Sequence, residues 1–143
     1  TPFRFEAGTP NIVGAAGLAA AVDVARAVGH DVVEAHEAVL TARLRDGAQG
    51  LPGVRLLGPS SGPRLPIASL VLTGAGLSSD DVALGLSDTH KVMVRSGHHC
   101  CHPYFDALGF PGAVRASAHA YTTVEEVDAF LDAAGSVLRA LVK

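Results

Sequence analysis

The alternation of apolar and polar positions marks helices at both ends of the chain and short strands between them. From Ile12 to Val22 almost every position is apolar or glycine. Thr9 as N-cap and Pro10 as first helical residue predict a helix to about Val28, closed by Gly29. Its many Ala and Gly residues predict close packing against another helix or chain. Asp31 with Glu34 has the spacing of a capping box and opens a second helix to Gly47. There Val32, Val33, Ala35, Val39, Leu40 and Leu44 share one face. A second capping box, Thr123 with Glu126, opens a last helix that runs nearly to Lys143. Its stripe of Val127, Phe130, Leu131, Ala134, Val137, Leu138 and Leu141 is core-facing.

Between these helices the period shortens. Val54 to Leu57 reads as a short strand. Gly58 to Pro66, with three prolines and two glycines, reads as a surface loop. Ile67 to Thr73 is apolar apart from Ser69 and predicts a buried central strand. Gly74-Ala75-Gly76 turns the chain without the lysine of a phosphate loop. Ser78 or Ser79 caps a helix to about Asp88, with Asp80 and Asp81 in its first turn. Val92 to Arg95 predicts a strand, and Pro103 to Leu108 a short helix stopped by Gly109. Val114 to Tyr121 alternates cleanly, with Val114, Ala116, Ala118 and Ala120 facing one way. Arg115, Ser117, His119 and Tyr121 face the other, where they either line a cleft or meet solvent. Four strands, at 54–57, 67–73, 92–95 and 114–121, predict an α+β fold. Its sheet is small and mainly antiparallel, with helices covering largely one side. Residues 1–29 form a lead-in loop and contact helix; residues 30–143 form the α+β domain.

Composition narrows the function. At 143 residues, 48% hydrophobic and 17% charged, the chain is long enough for a core and too apolar to be disordered. A net charge of −3 with scattered arginines gives no nucleic-acid footprint. The longest apolar run, Ile12 to Val22, is too short to span a bilayer, so no membrane partner is expected. No signal peptide is visible. Two adjacent cysteines cannot build a disulfide framework, which favours a reducing, cytoplasmic setting. A start at Thr1 rather than Met predicts a processed, excised or tag-trimmed polypeptide.

The chemistry concentrates in Val94 to Pro103, Val-Arg-Ser-Gly-His-His-Cys-Cys-His-Pro, which holds both cysteines and three of the seven histidines. Cationic neighbours favour the thiolate, and Arg95, His98, His99 and His102 offer that environment. Gly97 loosens the backbone ahead of Cys100, and Pro103 starts a helix behind it. Reactive residues are commonly presented on such loops. Two other readings stay open: a zinc site, although no second cysteine pair exists, and an inert buried cysteine pair. Gly8 ahead of a helix start is separately a candidate anion site.

Two segments carry a family resemblance. Arg95-Ser96-Gly97-His98-His99-Cys100 resembles the Arg-x-Gly-x-His-Cys signature of group II cysteine desulfurases and selenocysteine lyases, within the class V aminotransferases. Phe5-Glu6-Ala7-Gly8-Thr9-Pro10 resembles the Phe-Glu-x-Gly-Thr-Pro segment of the same enzymes. The resemblance implies the C-terminal domain of a fold type I pyridoxal-phosphate enzyme, with Cys100 as the catalytic thiol. It implies Gly8 and Thr9 as contacts to the cofactor phosphate across a homodimer. Arg115, within Arg-Ala-Ser followed by Tyr-x-Thr, is implied to bind the substrate's α-carboxylate. Arg95 would line the cleft, and His98 or His99 would assist proton movement. A sulfur-acceptor protein is the implied partner, and L-cysteine the implied substrate. Cys101 falls where relatives carry a small residue and is a candidate second, resolving thiol.

The resemblance covers the whole chain but only about the C-terminal third of the family's enzymes. Those hold pyridoxal phosphate on a lysine in a large preceding domain. Only Lys91 and Lys143 occur here, and Lys91 at a helix end does not suit a Schiff base, which needs desolvation or a cationic neighbour. The expectation is therefore a C-terminal domain, a proteolytic remnant or half of a split enzyme, inactive without the missing domain. A selenocysteine lyase, another C–S lyase, and a non-catalytic persulfide-carrier or interaction domain remain alternatives.

Overall fold

The structure is a computed structural model that describes residues 2–74 and 76–141. Ala75 of the predicted turn, and Thr1, Val142 and Lys143, lie outside the described residues. After a single turn of 3-10 helix at Pro2–Phe5 come α1 (Ile12–Val28), α2 (His30–Gln49), β1 (Val54–Leu56) and β2 (Ile67–Leu72). These are followed by α3 (Ser79–His90), α4 (His102–Leu108), β3 (Val114–Ser117) and α5 (Val124–Leu141). The chain forms two compact units that part inside α2, between Ala35 and His36.

In the first unit α1 starts two residues later than Thr9-Pro10 predict. The N-cap is Asn11, whose side-chain oxygen accepts the Gly14 N–H at 2.8 Å. A Cβ on Gly14 would come within 2.7 Å of Asn11 Cγ, so the glycine makes room for this cap. Thr9 and Pro10 precede it as exposed chain. The Asp31–Glu34 capping box does not form. Gly29, at φ +88°, donates its N–H to Ala25 and accepts the Val33 N–H. The next helix therefore begins at His30, and Asp31 already lies in its first turn. No residue of α1 is buried.

The second unit is the predicted α+β arrangement. Its sheet is antiparallel in the order β1-β2-β3, with Leu56 opposite Leu70 and Ser69 opposite Arg115. Ile67–Leu72 is thus the central strand, as its apolar run predicts. Its alternation sends Ala68 and Leu70 into the main core with Leu40 and Leu44 of α2, Leu86 of α3, and Phe130 and Leu138 of α5. On the opposite face Val71 packs with Phe105 of α4 and with Ala113. Most helices therefore cover one side, and α4 covers part of the other.

All four strands are shorter than predicted, β1 and β2 by one residue each and the other two by more. At 92–95 only Arg95 joins the sheet, exchanging both backbone hydrogen bonds with Arg115 at 3.0 and 2.7 Å. Lys91 ends α3 in the left-handed conformation, and the Val92 N–H folds back onto the Leu86 carbonyl, so it is spent on the helix end. Further on, β3 stops at Ser117. Ala118 still donates to Pro66, but Pro66 has no N–H to return, and the ladder ends there. The chain then turns, with the His119 N–H held by Thr122 Oγ1. His119 pairs with Glu37 and Tyr121 lies edge-on to its ring. Of the four residues expected either to line a cleft or to meet solvent, Ser117, His119 and Tyr121 are exposed and Arg115 is half-buried. The helix ends agree with their capping residues: Ser78 accepts the Asp80 N–H, and Gly109 in the left-handed region closes α4. Among the described residues no single helix is long and apolar enough to cross a membrane.

Candidate active site

The cysteine loop, residues 96–101, spans the gap between Arg95 at the sheet edge and α4. Four backbone features hold it. Gly97 donates to Ser79 Oγ at 3.3 Å, and its carbonyl accepts the Ala113 N–H at 3.0 Å. The Cys101 N–H closes a turn onto the His98 carbonyl at 2.8 Å, and the Cys101 carbonyl receives the first N–H groups of α4. Within this frame His99 and Cys100 both have positive φ, +52° and +63°. Such conformations are costly for non-glycine residues, by about 1–3 kcal/mol each, and gather where function over-determines the backbone.

Both thiols are exposed. Beside them an open groove of about 510 Å³ is bordered by His99, Cys101, Tyr104, Phe105 and Arg115. Its far wall is the Gly/Pro loop and the start of β2, including Leu57, Leu65 and Ile67. Arg115 reaches the groove because it lies opposite Ser69, on the sheet face away from the main core. Arg64, which the sequence showed only as part of a surface loop, shapes this wall by donating to the carbonyls of Leu57 and Pro59. A lone arginine among prolines carries no signal of that role.

Polar atoms in this groove lack protein partners. Among the described residues, the buried side-chain nitrogens without a hydrogen bond are Nδ1 and Nε2 of His99 and Nε of Arg115. Burial holds the His99 imidazole below its ordinary pKa, and the positive charges of Arg115, Arg95 and His98 push the same way, while the backbone of Ala113 acts against them. His99 is therefore held toward its neutral form. His98 lies flat against His102, with ring centroids 4.3 Å apart. Arg95 is exposed, and neither it nor Cys100 borders the groove. Gly8 and Thr9 belong to the first unit, are exposed, and leave open space where a Cβ on Gly8 would stand. Among the described residues no three His, Cys, Asp or Glu side chains converge as a metal site.

The donors present suit part of a pyridoxal-phosphate site. The free Arg115 Nε fits a carboxylate, and Gly8 and Thr9 lie on exposed chain in the other unit. Lys91 does not fit the Schiff base: it is exposed, and its Nζ donates to the Asp88 carbonyl at 2.9 Å.

The aminotransferase class-V family matches residues 1–130. A probable cysteine desulfurase of Pyrococcus abyssi is 44% identical over 99% of this chain and 34% of its own length. One from Xylella fastidiosa is 40% identical over 92% of this chain and 31% of its own length. Among solved structures, the apo cysteine desulfurase of Thermococcus onnurineus superposes with a TM-score of 0.86 at 41% identity, covering 97% of this chain and 34% of that one. The cysteine desulfurase CsdA of Escherichia coli gives 0.84 at 28% identity, covering 98% and 34%. The chain thus spans about a third of the relatives it matches. By its matched residues and its fold it belongs to the aminotransferase class-V family, and within that family it is similar to the cysteine desulfurases.

Proposed function

We propose that this chain is the C-terminal part of a pyridoxal-phosphate-dependent cysteine desulfurase, with the reaction L-cysteine plus the Cys100 thiol giving L-alanine plus a Cys100 persulfide. The observation that carries the reading is the groove beside the cysteine loop, where Arg115 keeps a buried Nε without a partner next to the His99 ring. Unsatisfied buried donors are expensive, and a ligand that satisfies them binds there preferentially.

Each residue then has a task. The planar guanidinium of Arg115 matches both oxygens of the substrate carboxylate. Arg95, joined to Arg115 through its backbone but outside the groove, adds positive charge nearby. His99, held toward its neutral form by burial and by Arg115, can relay a proton at the groove wall, and His98 assists at the loop surface. Cys100, exposed and strained, attacks the substrate sulfur as the thiolate. When bound, pyridoxal phosphate supplies the electron sink that labilises the substrate's Cα proton and C–S bond. Gly8 and Thr9 bind its phosphate across a homodimer formed through the N-terminal segment (residues 1–29), and residues 30–143 carry the cysteine loop. The lysine comes from a large domain outside this chain, so the chain by itself is inactive. The sulfur leaves to an acceptor protein, in the reducing cytoplasmic setting that two free thiols favour.

The test uses the pyridoxal-phosphate-loaded protein that contains this chain, incubated with 35S-labelled L-cysteine. Protein-bound label released by a reducing agent is the expected result, and its absence after Cys100→Ala identifies the acceptor. Label that persists undiminished in Cys100→Ala places the nucleophile elsewhere and overturns the assignment.

A further inference from the structure

The two cysteines are adjacent yet have different surroundings. Both are exposed, but only Cys101 borders the groove with His99, Tyr104 and Arg115. The backbone changes hand between them, from φ +63° at Cys100 to −125° at Cys101. Cys101 occupies the N-cap position of α4 without using its side chain as a cap, so its thiol is not committed to the helix.

Resting on the reading of Cys100 as the first sulfur acceptor, we propose that Cys101 is a second sulfur carrier, to which Cys100 passes its outer sulfur. The Cys101 thiolate attacks the outer sulfur of the Cys100 persulfide. The bond from that sulfur to Cys100 Sγ breaks, and its electron pair stays on Cys100 as a thiolate. The proton of the outer sulfur travels with it, so one thiolate and one persulfide exist before and after the step. No oxidant or reductant is consumed.

Geometry favours this transfer over the competing attack on the inner sulfur, which would expel hydrosulfide and join the two cysteines directly. Successive Cα atoms stand about 3.8 Å apart across a trans peptide, whereas disulfides form at Cα separations of roughly 4.4–6.8 Å. A direct bond between neighbours is therefore strained. Transfer through a bridging sulfur instead asks the two Sγ atoms to stand two S–S lengths apart, roughly 4 Å, which relieves that strain. The sulfur comes to rest on the groove wall beside Tyr104, and Cys100 is free to accept another. The chain thereby holds two transferable sulfurs in place of one.

The experiment exposes the pyridoxal-phosphate-loaded protein to L-cysteine without an acceptor thiol, traps persulfides by alkylation, and reads each cysteine by fragmentation between the two residues. Wild type is expected to carry sulfur on both, Cys101→Ser on Cys100 alone, and Cys100→Ala on neither. Melting curves of both variants establish that they are folded. Sulfur confined to Cys100 in wild type overturns the second carrier and leaves the desulfurase reading standing. A Cys100–Cys101 disulfide with free sulfide overturns transfer in favour of resolution. Sulfur on Cys101 in Cys100→Ala makes Cys101 the first acceptor and overturns the order of events. Wild type with sulfur on neither residue overturns the desulfurase reading itself.

Discussion

Gly112 stands against the backbone of Gly97, so close that a Cβ on Gly112 would lie 2.8 Å from the Gly97 carbonyl carbon and 2.9 Å from its Cα. The segment leading into β3, which brings Arg115 to the groove, and the loop that carries the cysteines therefore touch backbone to backbone. Gly112 also sits at φ +138°, which side chains rarely adopt. Gly112→Ala is expected to destabilise the fold by about 1–3 kcal/mol and to displace the loop. Thermal melts read the first effect, and the alkylation rates of Cys100 and Cys101 read the second. Unchanged thiol reactivity would detach this contact from the site.

The His99 imidazole gives the fold a dependence on acidity of known sign. Its pKa is lowered by burial and then by Arg115, while in the unfolded chain it titrates near about 6.5. Above that pH neither state is protonated and the group is neutral to stability. As the pH drops below it, the unfolded chain takes up a proton that the native ring resists, and stability falls until the native pKa is reached. His99→Gln is expected to flatten the melting temperature between about pH 7 and about pH 5 relative to wild type. An identical slope in the variant would refute the argument.

Arg115 distinguishes charge from geometry. Arg115→Lys keeps the charge and loses the fork, so KM for L-cysteine is expected to rise about tenfold or more, as for loss of a hydrogen bond to a charged group. Arg115→Ala should raise it further. Steady-state alanine formation at varied L-cysteine measures both, and a fall in kcat with unaltered KM would remove Arg115 from carboxylate binding.

At the start of α5, Thr123 and Glu126 satisfy one another's backbone: the Thr123 N–H donates to Glu126 Oε2 at 2.8 Å, and the Glu126 N–H donates to Thr123 Oγ1 at 3.1 Å. Thr123→Ala is expected to cost about 1 kcal/mol. Glu126→Ala should cost less in the Thr123→Ala background than alone, since the two bonds act as one box. Denaturant titration of the four proteins reads the coupling.

What the sequence legibly carried were features written locally. The Thr123–Glu126 cap, the Ser78 cap, the stop at Gly109 and the apolar run of the central strand depend on residues within one turn or one strand, so spacing alone exposes them. The Asp31–Glu34 box had the same local signature and failed, because Gly29 had already served as the helix junction. The strand at 92–95 failed because Val92 was spent on ending α3.

The sequence by itself determined that an arginine, a glycine hinge, histidines and two thiols occur together, and that the sheet would be small and antiparallel. Only the tertiary structure decided which of them meet. Arg115 faces the groove because β3 pairs with β2 in the register that sets it beside Ser69, and a one-residue slip would turn it into the core. The placement of Arg115 beside His99, and of Cys101 rather than Cys100 at the groove wall, arises where the cysteine loop, β3 and the Gly/Pro loop meet. Contacts of that kind join residues far apart in the chain, and no local pattern encodes them.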